Sequence, residues 1–104
     1  MISKNQIDFV VQQIANVASP EKIIMFGSYA SGTATNDSDL DLLVIKNSIE
    51  QRHKRAREIR KSLRGCKIPL DIIVYTPQEI QDWQGVQTAF ITRILKEGKI
   101  VYGD

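Results

Sequence analysis

The sequence predicts an α/β domain whose mixed β-sheet is covered by helices. Segments with apolar residues at helical spacing alternate with short apolar runs of strand length, the element order of an α/β fold. The connection from Phe26 to Leu40 is short enough for the first two strand candidates to pair antiparallel, whereas the long helical segment before the third allows a crossover. Together these connections give a sheet of mixed direction.

Ser3 to Val17 places Ile7, Val10, Val11, Ile14 and Val17 on one helical face. Ser3 and Gln6 are spaced as a capping box, and Pro20 bars continuation. Lys22 to Phe26 (KIIMF) reads as a strand that breaks at Gly27 and Ser28, and Tyr29 to Thr33 as one helical turn. Thr33 to Ser38 is loop by composition, after which an apolar strand runs to Ile45. Ser48 to Arg64 predicts the longest helix, capped by Ser48, stopped by Gly65, with Ile49, His53, Ala56, Ile59 and Leu63 on its inner stripe. Ile68 to Tyr75 (IPLDIIVY) is a strand interrupted once, at Asp71. Thr76-Pro77-Gln78-Glu79 combines a capping box with proline at the first helical position, beginning a helix that reaches Trp83 and ends at Gly85. Gln87 to Glu97 predicts another, with Phe90, Ile91, Ile94 and Leu95 inward and Gly98 as its stop; Lys99 to Tyr102 is a last short strand.

The stretch Gly27 to Val44, GSYASGTATNDSDLDLLV, concentrates the chemistry. In an extended strand side chains two apart share a face, so Asp39 and Asp41 sit together while Leu40 and Leu42 point into a core. Two close carboxylates repel unless a cation or proton intervenes, and hard divalent cations such as Mg²⁺ suit such a pair when phosphate oxygens complete the coordination. A bare D-x-D occurs commonly by chance, as a loop charge beside an edge-strand charge. Gly-Ser after a strand is by itself more often only a turn, but beside the aspartates it offers close backbone approach with amide and hydroxyl donors for phosphate. Asp71 supplies a third carboxylate: buried unpaired among Leu, Ile and Val it would cost several kcal/mol, whereas on an edge strand it could face water.

G-S, a second glycine after a short spacer, then D-x-D resembles the signature of the nucleotidyltransferase superfamily that includes DNA polymerase beta. The small prokaryotic minimal nucleotidyltransferases are the nearest match, and the likeness extends over nearly the whole chain. It implies a polymerase beta-like palm fold and metal-dependent nucleotidyl transfer, with AMP from ATP as the first choice. It also implies a third aspartate on a neighbouring strand, which Asp71 matches. In such a site Asp39 and Asp41 would bind two Mg²⁺ ions, Asp71 the ion beside the attacking hydroxyl, and Gly27 and Ser28 the β and γ phosphates. Many members carry arginine where this chain has Ser31, so a positive charge near the nucleotide is either absent or supplied elsewhere. Minimal nucleotidyltransferases are often paired with a HEPN-domain protein, as antitoxins that bind the HEPN ribonuclease toxin or adenylylate a tyrosine on it. Transfer to a small molecule or an RNA 3′ end is a second expectation, and a partner-binding module with decayed chemistry a third.

The 104 residues are expected to form a single domain, 1–104, with a modest core. No run approaches the roughly 20 apolar residues of a membrane span, and the N-terminus lacks the apolar core of a signal peptide. The single cysteine, Cys66, cannot form an internal disulfide, so a reducing cytoplasm is the expected location. A net charge of +2 leaves the partner class open, yet eight of the fourteen Lys and Arg residues lie between Arg52 and Lys67. A solvated helix face accounts for most such runs; a dedicated basic helix 52–67 would suit RNA or an acidic protein. His53 is read as a packed or half-exposed helix residue, not a ligand. Ile100, Val101 and Tyr102 near the C-terminus offer apolar surface for a homodimer.

Overall fold

The computed structural model describes residues 1–83 and 89–104. Its elements run α1 (Lys4–Ala18), β1 (Lys22–Phe26), α2 (Ser28–Ser31), β2 (Leu40–Ile45), a 3-10 turn (Arg52–Lys54), α3 (Arg57–Ser62), β3 (Leu70–Tyr75), α4 (Pro77–Trp83), α5 (Phe90–Glu97) and β4 (Lys99–Tyr102). The strands form one sheet in the order β3-β2-β1-β4. β1 pairs antiparallel with both β2 and β4, while β2 and β3 are parallel. This is the mixed, helix-covered sheet of the polymerase beta-like nucleotidyltransferase fold.

Alternation along the strands divides the core between the two faces of the sheet. On one face Ile23, Leu40, Leu42, Val44, Ile72 and Val74 pack against Val10, Val11 and Ile14 of α1 and against Ile59 of α3. On the other, Ile24, Leu43 and Ile45 pack against Ile91 and Ile94 of α5. β2 is buried on both faces, which is why its sequence after Asp41 is continuously apolar.

The first helix begins as its sequence demands: Ser3 Oγ accepts from the Gln6 amide and Gln6 Oε1 accepts from the Ser3 amide. It ends at Ser19, whose left-handed backbone precedes Pro20. Val17, expected inward, is exposed, and Ala15 and Ala18 are buried instead.

The long helix expected over Ser48 to Arg64 is not formed. A 3-10 turn and the shorter α3 replace it, and Ile49 is fully exposed, not on an inner stripe. Ser48 Oγ accepts from the Glu50 amide two residues on, a local turn that competes with helix initiation. His53, expected packed or half-exposed, is exposed, and Cys66 packs against the core. The basic run is therefore not one helix 52–67, and part of it is structural. Arg55 and Arg60 donate to the carbonyls of Val74 and Ile72, outward groups of edge strand β3, at 3.3 and 3.2 Å. Side chains laid on an edge in this way block strand addition by another molecule.

Arg52 stacks over the Tyr75 ring, 4.3 Å from its centroid, and with Arg55 pairs with Glu79 at the start of α4. Glu79 also completes the capping box with Thr76, so one carboxylate ties the 3-10 segment, β3 and α4 together. Burial disfavours ionisation of Glu79, but hydrogen bonds from Arg55, the Thr76 amide and Arg52 outweigh it and lower its pKa from 4.5 to about 2. α5 is described from Phe90 and ends before Gly98; the expected stop at Gly85 and start at Gln87 lie outside the described residues. Phe90, expected inward, is exposed and meets Phe26 edge to face at a centroid separation of 5.7 Å. Among the described residues no helix is long and apolar enough to cross a membrane.

Candidate functional site

β1 ends at Gly27, whose φ of +72° and ψ of −152° lie where residues with side chains are strained. Space forbids a side chain there as well: a Cβ at Gly27 would collide with Oδ2 of Asp41 and lie 3.1 Å from its Cγ. Position 27 must be glycine for as long as Asp41 keeps its place. The chain then turns into α2, where Ala30 and Ser31 donate their amides to the Gly27 carbonyl. Helix α2 covers Ser28–Ser31, one residue earlier than the turn expected from Tyr29, and Gly32 closes it with φ +80°.

Asp41 is the second residue of β2, paired across β1 with Phe26 and in register with Asp71 on β3. In-register residues of parallel strands project to the same face, so the two carboxylates stand side by side on the face that carries α5. α5 covers Ile24, Leu43 and Ile45 further along. The carboxylates are left at the end of the sheet where β2 and β3 begin and β1 stops. Asp39 lies exposed immediately before β2. Burial raises the Asp41 carboxyl above its ordinary range, and the negative charges of Asp71 and Asp39 raise it further.

Of the two placements open to Asp71, the structure takes the second: β3 is an edge strand and Asp71 is exposed. Desolvation therefore does not require a partner for it; its place beside Asp41 follows from register alone. Among the described residues no group of three His, Cys, Asp or Glu side chains is placed to hold a metal ion. Asp41 and Asp71, side by side in register, could supply the one or two carboxylates that Mg²⁺ takes when waters and phosphate oxygens complete its coordination.

Next to the carboxylates opens a cleft of about 380 Å³. Gly27, Ala30 and Ser31 form one wall and Phe90, Arg93, Ile94 and Glu97 of α5 the other, with Phe26 between them. Sequence inspection missed this second wall. Its signal was the spacing 90, 93, 94, 97, one face of a helix, hidden because two of the four positions are charged. Ser31 contributes a hydroxyl that donates to the Ser28 carbonyl at 3.3 Å and stands 2.8 Å from Thr33 Oγ1.

Comparison with known proteins adds an independent line. The model of a family described as a nucleotidyltransferase domain matches residues 5–101. A candidate protein adenylyltransferase of Methanocaldococcus jannaschii is 54% identical over 41 residues, 36% of this chain and 28% of that protein. Caffeine-induced protein 16 of Schizosaccharomyces pombe is 33% identical over 78 residues, 66% of this chain and 6% of that protein. This chain thus spans a minor part of the length of both relatives. Among solved structures, a candidate nucleotidyltransferase from Sulfolobus solfataricus superposes with a TM-score of 0.63 at 24% identity, covering 93% of this chain and 77% of that one. A toxin-antitoxin structure with AMP-PNP gives 0.64 at 19% identity, covering 93% and 73%. At these identities the structural likeness is one of fold.

Proposed function

This chain belongs to the nucleotidyltransferase domain family, and we propose that it transfers AMP from ATP to a hydroxyl group on a partner protein. The observation that carries the proposal is the register of Asp41 with Asp71 beside Gly27. Gly27 and Ser28 would hold the β and γ phosphates through amide and hydroxyl donors. Asp39, Asp41 and Asp71 are the catalytic carboxylates of this reading and would hold two Mg²⁺ ions, Asp71 on the side of the acceptor. When bound, the ions would offset phosphate charge and lower the pKa of the acceptor hydroxyl. The acceptor oxygen bonds to the α-phosphorus as the bond from that phosphorus to the bridging oxygen breaks, and pyrophosphate leaves with the electron pair. Asp71 orients the acceptor hydroxyl and takes its proton.

The acceptor we place on a tyrosine of a HEPN-type toxin, so that the chain acts as a cytoplasmic antitoxin through the single domain 1–104. Two comparisons support this choice: the partial likeness to a candidate protein adenylyltransferase, and the shared fold with a toxin-antitoxin structure that contains AMP-PNP.

The test is incubation with ATP labelled at the α-phosphate, Mg²⁺ and the co-purified partner. Label should move to the partner, and Asp41→Ala or Asp71→Ala should abolish the transfer. Label on a small molecule or an RNA 3′ end without a protein partner would redirect the acceptor assignment. A tight partner complex with no binding of Mg·ATP at millimolar concentration would replace enzymatic activity with a binding role.

A further inference from the structure

Arg93 is an exposed guanidinium on α5 that looks across the cleft at Gly27, Ala30 and Ser31. Its backbone is fixed by the helix, and among the described residues its side chain has no ion-pair partner. The facing wall brings no charge: position 31 is a serine whose hydroxyl is taken up by Ser28 and Thr33. Close by, Asp41 abuts Gly27 and stands in register with Asp71, with Asp39 two residues before it, so three carboxyl groups gather at this end of the sheet. A polyphosphate lying along Gly27 would meet those carboxyl groups, and any ions they hold, on one flank, and a cation on its other flank would offset the charge that remains. Glu97, one turn beyond Arg93, adds to the negative charge and leaves Arg93 as the cation of the cleft lining.

We propose that Arg93 is a nucleotide-binding residue that clamps the polyphosphate of the substrate across the cleft from the Gly27 turn. A planar guanidinium can make two parallel hydrogen bonds to phosphate oxygens, and hydrogen bonds to charged groups are the stronger kind in water. The apolar surfaces of Phe90 and Ile94 on the same wall reduce competition from solvent. This inference rests on the nucleotidyltransferase reading above and adds to it the residue of this chain that reads phosphate charge.

The test is equilibrium binding of Mg·ATP, Mg·ADP and AMP to the full chain and its variants, with thermal melting as the control for folding. Arg93→Ala should weaken Mg·ATP binding about 10- to 100-fold, weaken Mg·ADP less, and leave AMP within about twofold. Arg93→Lys should recover part of the loss, since it restores the charge without the fork. Ser31→Arg in the Arg93→Ala background should also recover affinity by returning a cation to the cleft from its opposite wall. If the wild-type chain binds Mg·ATP and Arg93→Ala binds it equally well, Arg93 is not the clamp and the transferase reading stands. If Arg93→Ala lowers AMP binding as much as ATP binding, the residue reads the nucleoside instead and the phosphate assignment is overturned. Absence of Mg·ATP binding by the wild-type chain would overturn both.

Discussion

The carboxylate of Asp41 rests against the α-carbon of Gly27, filling the volume that any side chain at position 27 would occupy. Asp41 lies on β2 and Gly27 directly follows β1, its antiparallel neighbour, and the turn can approach the strand this closely only because one partner has no Cβ. Gly27→Ala should therefore displace Asp41 as well as strain the turn. We expect loss of nucleotidyl transfer together with destabilisation well above ~1 kcal/mol. Gly32→Ala is the control: its φ of +80° imposes strain, but nothing lies within 4 Å of the added methyl. It should melt lower by about 1–2 kcal/mol and keep its transfer activity, as measured by denaturation and α-phosphate labelling side by side.

Burial and the charges of Asp71 and Asp39 both disfavour ionisation of Asp41 and raise its pKa. Asp41→Asn removes that conflict without a large change of shape, so in EDTA at neutral pH the variant should melt a few degrees higher than the wild type. Transfer activity should vanish. A variant that melts lower in EDTA would show that the Asp41 charge is compensated by some other group.

Asp71 lies on an exposed edge and contributes little to packing. Asp71→Asn should accordingly cost no stability, and in EDTA raise the melting temperature by less than Asp41→Asn does, while reducing transfer by about 10²-fold or more, the scale of a lost general base. Rate and stability measured on the same preparation separate the two effects. Retention of full Mg²⁺-dependent transfer would remove Asp71 from the chemistry.

Glu79 governs the acid side of the stability profile. Its pKa is lowered to about 2 in the folded chain from 4.5 otherwise, so its stabilising contribution is complete above pH 4.5 and is lost as pH falls toward 2. Glu79→Gln should cost about 2 kcal/mol at pH 7, and the gap to the wild type should narrow between pH 4.5 and pH 2. Urea denaturation at a series of pH values measures this directly.

Much of this arrangement was legible in the residues because local rules and the global fold agree there. The capping boxes at Ser3 and Thr76, the strand KIIMF, and the paired directions of β1, β2 and β3 follow from spacing and connection length. The segment after Ser48 was misread because helix periodicity and basic composition look alike whether arginines face solvent or tether a neighbouring strand. Arg52 and Arg55 serve Glu79, and Arg55 and Arg60 serve the carbonyls of β3, partners distant in sequence that periodicity does not report. The α5 wall of the cleft was lost for a similar reason. Phe90 and Arg93 acquire their meaning only when β1 and α2 are brought opposite them, and a one-dimensional pattern carries no information about that juxtaposition.

The guanidinium groups of Arg55 and Arg60 shield the rim of β3 at Val74 and Ile72 and go no further toward its beginning. Asp71 itself is exposed, and on the reading proposed above an acceptor hydroxyl would approach it from this flank while still attached to a bulky body. Selectivity for that hydroxyl would then reside in how the visiting molecule seats against the flank, and a free amino acid, lacking such a seat, should be a poor acceptor.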